Sequence, residues 1–266
     1  MYFSIIIPTY RPGSYIIECL SSLTQQTLSY DCFEVIIVLN GCKKPYEEFI
    51  NEYIFNSMRN MNVLLIQIDT PGVSNARNIA LEKAKGKYIC FLDDDDLLSS
   101  NYLDDSLNKV SEDTIVVSKV ALFSKVIGDI DRIHPITKLY NKFSKIEYSN
   151  LFEKRSFLSN ACYKIIPRSI IGKNSFNTAF KMGEDSLFMY SISNKIRHIK
   201  FVDAIYYRRI RAGSATQIKR SYYFRLSNTI KLLYAYMKIF LKHPLQYNFC
   251  IFLSRLIATC MHLFKR

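Results

Sequence analysis

The sequence predicts an α/β protein built on a mostly parallel sheet with helices on both faces. Two observations predict it: short apolar, β-rich runs alternate with segments of helical period, and each run is near-continuously apolar, as in strands buried on both faces. FSIIIP (3–8), FEVIIVL (33–39), VLLIQI (63–68) and KYICFL (87–92) are the runs, each bounded by polar turn residues. Between them, Tyr15 to Gln26, Pro45 to Met58 and Val73 to Lys85 have helical spacing. Strand and helix in this rhythm give parallel pairing. In such sheets the ligand lies beyond the carboxyl ends of the strands. Those ends read Pro8-Thr9-Tyr10-Arg11, Asn40-Gly41, Asp69-Thr70-Pro71-Gly72 and Asp93-Asp94-Asp95-Asp96, and all should face one rim.

A further helix (about 101–110) and strand (about 114–120) follow, after which periodicity weakens and residues 121–180 give no boundaries. Glu184 to Ile196 reads as a helix and Ala204 to Arg211 as a strand or extended segment. From Ser221 to Lys242 the period is helical. Tyr223, Leu226, Ile230, Leu233, Met237 and Phe240 share one face, and Arg220, Lys231, Lys238 and Lys242 cluster beside it, so this helix is amphipathic. His243-Pro244 ends it, and a second apolar helix runs to a Lys265-Arg266 terminus.

Composition narrows the function classes. With 266 residues, 49% of them hydrophobic, and only 8 glycines, the chain is neither disordered, collagen-like nor a small disulfide scaffold. Seven cysteines (Cys19, Cys32, Cys42, Cys90, Cys162, Cys250 and Cys260) include no C-x-x-C pair, which fits a reducing compartment. MYFSIIIPTY reads as a first strand and not as a leader. Arg255 interrupts the apolar stretch from Phe249 to Phe264, so a transmembrane anchor is not expected. The net charge of +13 is unevenly placed: residues 204–266 hold 12 Lys and Arg and no acid. An anionic surface, either membrane headgroups or nucleic acid, would explain such a tail.

The run Asp93 to Asp96 leaves a buried strand, and four adjacent carboxylates raise one another's pKa unless a cation neutralises them. A divalent magnesium or manganese ion does so with one or two protein carboxylates, completing its shell with water and phosphate oxygens. On an extended chain Asp93 and Asp95 project to one side while Asp94 points elsewhere. The competing reading is a solvated turn in which Asp96 caps the next helix. Arg77 opens a helix, where anions are favoured and a guanidinium fork matches phosphate, although an isolated arginine there is often only a surface residue. Tyr10 offers a ring to stack on a nucleobase, and the Asn40 amide suits a base edge, but Asn-Gly is equally ordinary turn chemistry. Glu184-Asp185 heads a helix after Gly183; acids are common there, yet a carboxylate so fixed can take a proton from a hydroxyl. His134, His198 and His243 have no ligand spacing. No P-loop, dinucleotide fingerprint or nucleophile elbow is present.

Taken together, SIIIPTYR, VIIVLNG, GVSNARNIALEKAKGKYICFLDDDD and GEDSLF resemble the family 2 inverting glycosyltransferases of the GT-A fold, whose sheet is Rossmann-like. The motifs run in order over residues 3–188. The resemblance implies that Asp93 and Asp95 form a D-x-D element holding Mn2+ or Mg2+ against the donor diphosphate. It implies that Pro8, Tyr10, Arg11 and Asn40 surround the nucleobase, that Arg77 and Asp94 contact the nucleoside diphosphate, and that Asp185 is the catalytic base. YYRRIRAGSAT (206–216) is similar to the region after that base, where Arg209 or Arg211 reaches the phosphates. The family's second strand ends in two aspartates before the glycine; here the pair is Leu39-Asn40.

The division implied is a GT-A domain over 1–215, with a nucleotide-sugar half (1–120) and an acceptor half (121–215), and a basic helical extension over 216–266. The activity the resemblance implies is metal-dependent, inverting transfer of a sugar from a nucleoside diphosphate sugar, a UDP-sugar, to a hydroxyl of a glycan or lipid-linked acceptor in bacterial surface polysaccharide synthesis. The partners expected are that donor and acceptor and an anionic membrane at the cytoplasmic face, with no nucleic acid. A sugar nucleotidyltransferase and a basic nucleic-acid-binding module are the alternatives; the first lacks a glycine-rich triphosphate loop, and the second leaves the aspartate run without a role.

Overall fold

The computed structural model describes residues 1–146, 149–211 and 220–264. Apolar runs become strands where sequence places them: β1 (Phe3–Thr9), β2 (Phe33–Asn40), β3 (Asn62–Ile68) and β4 (Tyr88–Phe91) pair in parallel in the order β3-β2-β1-β4. Helices α1 (Tyr15–Thr24), α2 (Tyr46–Ser57) and α3 (Val73–Lys83) connect them. Every residue of β1, β2 and β4 is buried, as continuous apolar strands covered on both faces require. The third strand departs from that expectation: none of its residues is fully buried. It is the edge strand, with a neighbour on one side only, so its outer flank stays open to solvent.

The chain continues through β5 (Leu97–Leu98), α4 (Tyr102–Leu107), β6 (Thr114–Phe123), α5 (Pro135–Phe143), β7 (Lys164–Pro167), α6 (Arg168–Ile171), α7 (Glu184–Ile192), β8 (His198–Arg209), α8 (Tyr222–Lys242) and α9 (Phe249–Phe264). The sheet extends as β4-β7-β6-β8-β5. β7 is antiparallel to both its neighbours, β6 and β8 are parallel, and β5 is antiparallel to β8. Because β7 runs backwards beside β4, its first residues arrive at the rim where β4 ends.

Several boundaries read from sequence need correction. The segment assigned to 204–211 is the end of a strand that starts at His198, whose alternating burial places Lys200 and Asp203 outward and so hid the pattern. The helix assigned to 184–196 stops at Ile192 and passes into a single 3-10 turn, Ser193–Lys195. Within 121–180, α5 begins with His134 accepting the Ile136 N–H and Pro135 in the first turn, whereas β7 and α6 are four residues each, too short to show a period.

α8 packs through Asn228, Thr229, Leu232 and Tyr236, and Tyr236 shares a 2.6 Å hydrogen bond with Ser186 of α7. The apolar residues Tyr223, Ile230 and Met237, grouped on one face by sequence, are exposed. α9 stacks Phe252 on Phe240 of α8 at 4.2 Å, and the buried Arg255 donates to the Arg155 carbonyl at 2.6 Å. Both helices therefore rest on the body of the molecule. The division set at 215/216, and residues 212–216 of YYRRIRAGSAT, lie outside the described residues. Among the described residues no helix is long and apolar enough to cross a membrane.

Candidate active site

Parallel pairing brings the carboxyl ends of β1, β2, β3 and β4 to one rim, and the site is assembled there. Pro8 is buried inside β1, two residues before Tyr10, whose ring is 47% exposed. Arg11 has φ +46°, a left-handed conformation unusual for a side-chain-bearing residue, and its guanidinium lies 5.2 Å from the Tyr10 ring. At the end of β2, the Asn40 amide is buried. It donates to the Thr9 carbonyl at 2.6 Å and accepts the Gly72 N–H at 2.8 Å, tying β1 to the start of α3. Gly41 turns the chain at φ +68°, where a Cβ would lie 2.4 Å from Pro71 Cβ. The turn role of Asn-Gly is thus realised, with one amide hydrogen left beyond these two bonds.

Arg77 is turned inward, with 4% of its side chain exposed. Nη1 donates to Asp185 Oδ1 at 2.6 Å and Nη2 to Asp93 Oδ1 at 2.9 Å. The guanidinium lies 5.2 Å from the Phe176 ring and 5.9 Å from that of Phe91, which cover it, whereas the Asp93 side chain is 42% exposed. Burial alone would pull its pKa down, but Asp185 and Asp93 outweigh burial and hold the charge. Phe176 is fixed in turn by a two-way exchange with Asn78: its N–H donates at 2.7 Å and its carbonyl accepts at 2.8 Å.

The aspartate run is a turn and not an extended segment, since the Asp96 N–H donates to the Asp93 carbonyl at 3.1 Å. That geometry overturns the alternation argument for Asp93 and Asp95. Each carboxylate finds its own partner. Asp93 takes Arg77, Asp94 accepts from the Thr9 hydroxyl, and Asp95 accepts from Arg211 Nε. Asp96, 3% exposed, accepts from the Tyr206 hydroxyl at 2.7 Å and the Arg209 N–H at 2.8 Å. Arg209 also reaches the Asp95 carbonyl at 2.9 Å and Glu18 at 2.7 Å, while Arg211 lies 4.7 Å from the Tyr15 ring.

Six carboxylates of the rim, Asp93 to Asp96 with Glu184 and Asp185, share the guanidiniums of Arg77 and Arg211, while that of Arg209 is paired with Glu18. The site is short of positive charge. Burial, reinforced by Asp95 and Asp93, pushes Asp94 up to about 7 against the opposing pull of Thr9 and Arg211. Burial and the same two neighbours raise Asp96, and burial with Asp185 raises Glu184. Among the described residues no three metal-ligating side chains converge into a ready-made cage. The donor set is nonetheless all hard oxygen, with more carboxylates than guanidiniums, which fits a divalent ion completed by phosphate oxygens.

Asp185 is the second residue of α7. Its Oδ1 is held by Arg77, and its Oδ2 accepts a long 3.4 Å bond from the Ala161 N–H. Gly183 enters the helix at φ +87°, and a Cβ there would lie 2.7 Å from Leu232 Cδ1, so glycine is what lets the Glu-Asp pair swing to the rim.

Sequence reasoning missed Thr9, Tyr206, Phe176 and Lys164. Tyr206 gives no signal in an apolar strand, yet its hydroxyl accepts the Asp93 N–H at 3.3 Å while donating to Asp96. Lys164 had a signal in principle: it is the one charge in CYKIIP. His134 caps α5, and burial with the nearby Arg208 and Arg132 lowers its pKa to about 4.

The family model described as glycosyl transferase family 2 matches residues 4–173. The chain is 28% identical over 219 residues to the minor teichoic acid biosynthesis protein GgaB of Bacillus subtilis, covering 82% of this chain and 24% of that one. It therefore spans about a quarter of that relative's length. Among solved structures, residues 1–349 of S. aureus TarS in complex with UDP-GlcNAc match with a TM-score of 0.69 at 24% identity, over 89% of this chain and 67% of that one. Mannosyltransferase PcManGT from Pyrobaculum calidifontis, in complex with GDP-Man and Mn2+, matches with a TM-score of 0.65 at 16% identity, over 98% and 69%. The two structural likenesses establish the fold as GT-A.

Proposed function

The chain belongs to glycosyl transferase family 2, and on that premise we propose that it transfers a sugar from a nucleoside diphosphate donor, a UDP-sugar, to a hydroxyl of a glycan or lipid-linked acceptor in bacterial surface polysaccharide synthesis. The observation that supports this most is one guanidinium joining Asp93 of the acidic rim to Asp185 of α7. It holds the diphosphate end of the reaction and a proton acceptor within one side chain's span.

In this reading the acceptor oxygen forms its bond to the anomeric carbon from the face opposite the diphosphate. The bond to the departing phosphate oxygen breaks, its electron pair leaves with the diphosphate, and the configuration inverts. Asp185 takes the hydroxyl proton, and Arg77 keeps that carboxylate ionised and aimed. Tyr10, Arg11, Pro8 and Asn40 border the base, and Asp94 and Arg211 border the diphosphate. Asp93 and Asp95 would hold Mn2+ or Mg2+, which supplies positive charge to the leaving group when bound. The fit to the metal rests on the cation-poor oxygen set, and the mannosyltransferase neighbour is a complex with Mn2+.

Calorimetry with UDP tests the donor site. Binding should be measurable with Mn2+ and weaken by at least about tenfold, or 1.4 kcal/mol, in a chelator. No binding of UDP or GDP under either condition would sink the reading.

The acid-free helices support a seat for the enzyme against the cytoplasmic face of an anionic membrane. On α8, Ile230, Tyr234, Met237 and Leu241 are exposed at helical spacing beside the exposed Lys231, Lys238 and Lys242, and α9 exposes Leu253, Ile257 and Met261. Apolar residues flanked by lysines suit the headgroup boundary of such a leaflet. The protein should float with phosphatidylglycerol vesicles, be released by salt, and ignore phosphatidylcholine. Equal binding to both lipids at all salt concentrations counts against membrane docking.

A further inference from the structure

Lys164 is wholly buried and, among the described residues, has no ion-pair partner. Its Nζ donates instead to two main-chain carbonyls, Asn160 at 2.6 Å and Cys162 at 3.0 Å, and lies 3.8 Å from the Tyr163 ring. An ammonium enclosed without a carboxylate is less favourable than an apolar side chain of the same length, so a purely structural role would be better met by methionine. Burial lowers its pKa to about 7, with Cys162 and Asp185 opposing and Arg255 adding to the fall.

The two carbonyls belong to the turn that enters β7. Tyr163 there has φ +54°, strained for a residue with a side chain, and the Cys162 N–H donates to Asn160 Oδ1 at 2.6 Å. This turn sits at the rim because β7 runs antiparallel to β4, and Cys162 bridges to Phe91 at the end of β4. It presents the Ala161 N–H to Asp185 Oδ2 and the Cys162 sulfur to Arg77 Nη2 at 3.9 Å.

We propose that Lys164 is a positioning residue for the base: by gathering the Asn160 and Cys162 carbonyls it shapes the turn whose Ala161 N–H fixes the second oxygen of Asp185. Arg77 donates to one oxygen of that carboxylate and this turn to the other, which together orient the lone pairs left for the acceptor hydroxyl. The inference rests on the assignment of Asp185 as base.

Three variants test it: Lys164→Met, which removes every donor; Lys164→Gln, which keeps an amide with two N–H donors; and Asp185→Asn as reference. The readouts are UDP release from a panel of UDP-sugars, UDP binding by calorimetry, and amide exchange at residues 160–163. In Lys164→Met, kcat should fall about 100-fold, the effect of a misplaced reacting group. The donor KM and UDP affinity should stay within about twofold, and exchange at 161–163 should quicken. Lys164→Gln should recover part of both changes. If Lys164→Met fails to fold, the same comparison is made on Lys164→Gln. Unchanged exchange and kcat in a folded variant, or a kcat loss matched by lost UDP binding, overturns the positioning role. Should Asp185→Asn itself retain the rate, the base assignment has failed instead.

Discussion

Replacing Asp185 with asparagine should lower the rate of sugar transfer by a factor of about 10² to 10⁴, the range supplied by a general base, while UDP binding stays within a few-fold of the unaltered enzyme. The asparagine has the same shape, and its carbonyl oxygen can still accept from Arg77 Nη1, which now donates to Oδ1 at 2.6 Å. What it lacks is the basicity to take a proton from an acceptor hydroxyl. Rapid-quench transfer assays beside calorimetry separate the two quantities. A variant that transfers at nearly the original rate places the base on some other group, with Glu184 the adjacent carboxylate to examine.

The second large effect belongs to Arg77 and concerns stability as well as rate. Removing the guanidinium in Arg77→Met leaves Asp93 and Asp185 facing each other without a cation beneath the Phe91 and Phe176 rings. Breaking a buried ion pair from one side costs about 3–5 kcal/mol, which for a chain of this size lowers the melting temperature by roughly 10 °C. Arg77→Lys restores the charge, but a single ammonium lacks the fork that reaches two carboxylates at once. The lysine variant should therefore melt above the methionine variant and still transfer slowly. Differential scanning calorimetry decides it: a methionine variant melting within a degree or two of the unaltered protein would show that this arginine does not hold the two acids together.

The first ninety residues were legible because β1, β2 and β4 are covered on both faces, so their sequences are nearly all apolar, with Ser4 and Glu34 the polar residues inside them, and because each is followed by a polar turn. β8 was half legible: Lys200 and Asp203 face outward within it and broke the apolar pattern ahead of Ala204. β7 was illegible, since four residues including a proline carry no period. The candidate site divides along similar lines. The rim and the residue types on it followed from strand ends, but the partners did not. Arg77 reads as a phosphate-binding arginine because nothing local to it announces Asp185, 108 positions away. Asp93 and Asp95 read as a converging pair until the hydrogen bond from Asp96 back to Asp93 bends the run. Lys164 was passed over because a lone lysine, even as the one charge in an apolar run, ordinarily marks a solvated position, and only the completed sheet shows it enclosed.

The reach of the contacts around the rim bears on how the protein comes into being. Arg209 meets Glu18 across 191 positions, and Tyr206 meets Asp96 across 110. The first four parallel strands have the shorter loops to close, whereas each of these later contacts waits on the arrival of β8. A ribosome-bound chain that has emerged only through Asp96 therefore displays a bare acidic turn with neither Arg209 nor Asp185 to complete it. The rim has all its partners only once β8 has joined the sheet, and loss of the segment from β8 onward should silence the enzyme even if the amino-terminal strands survive.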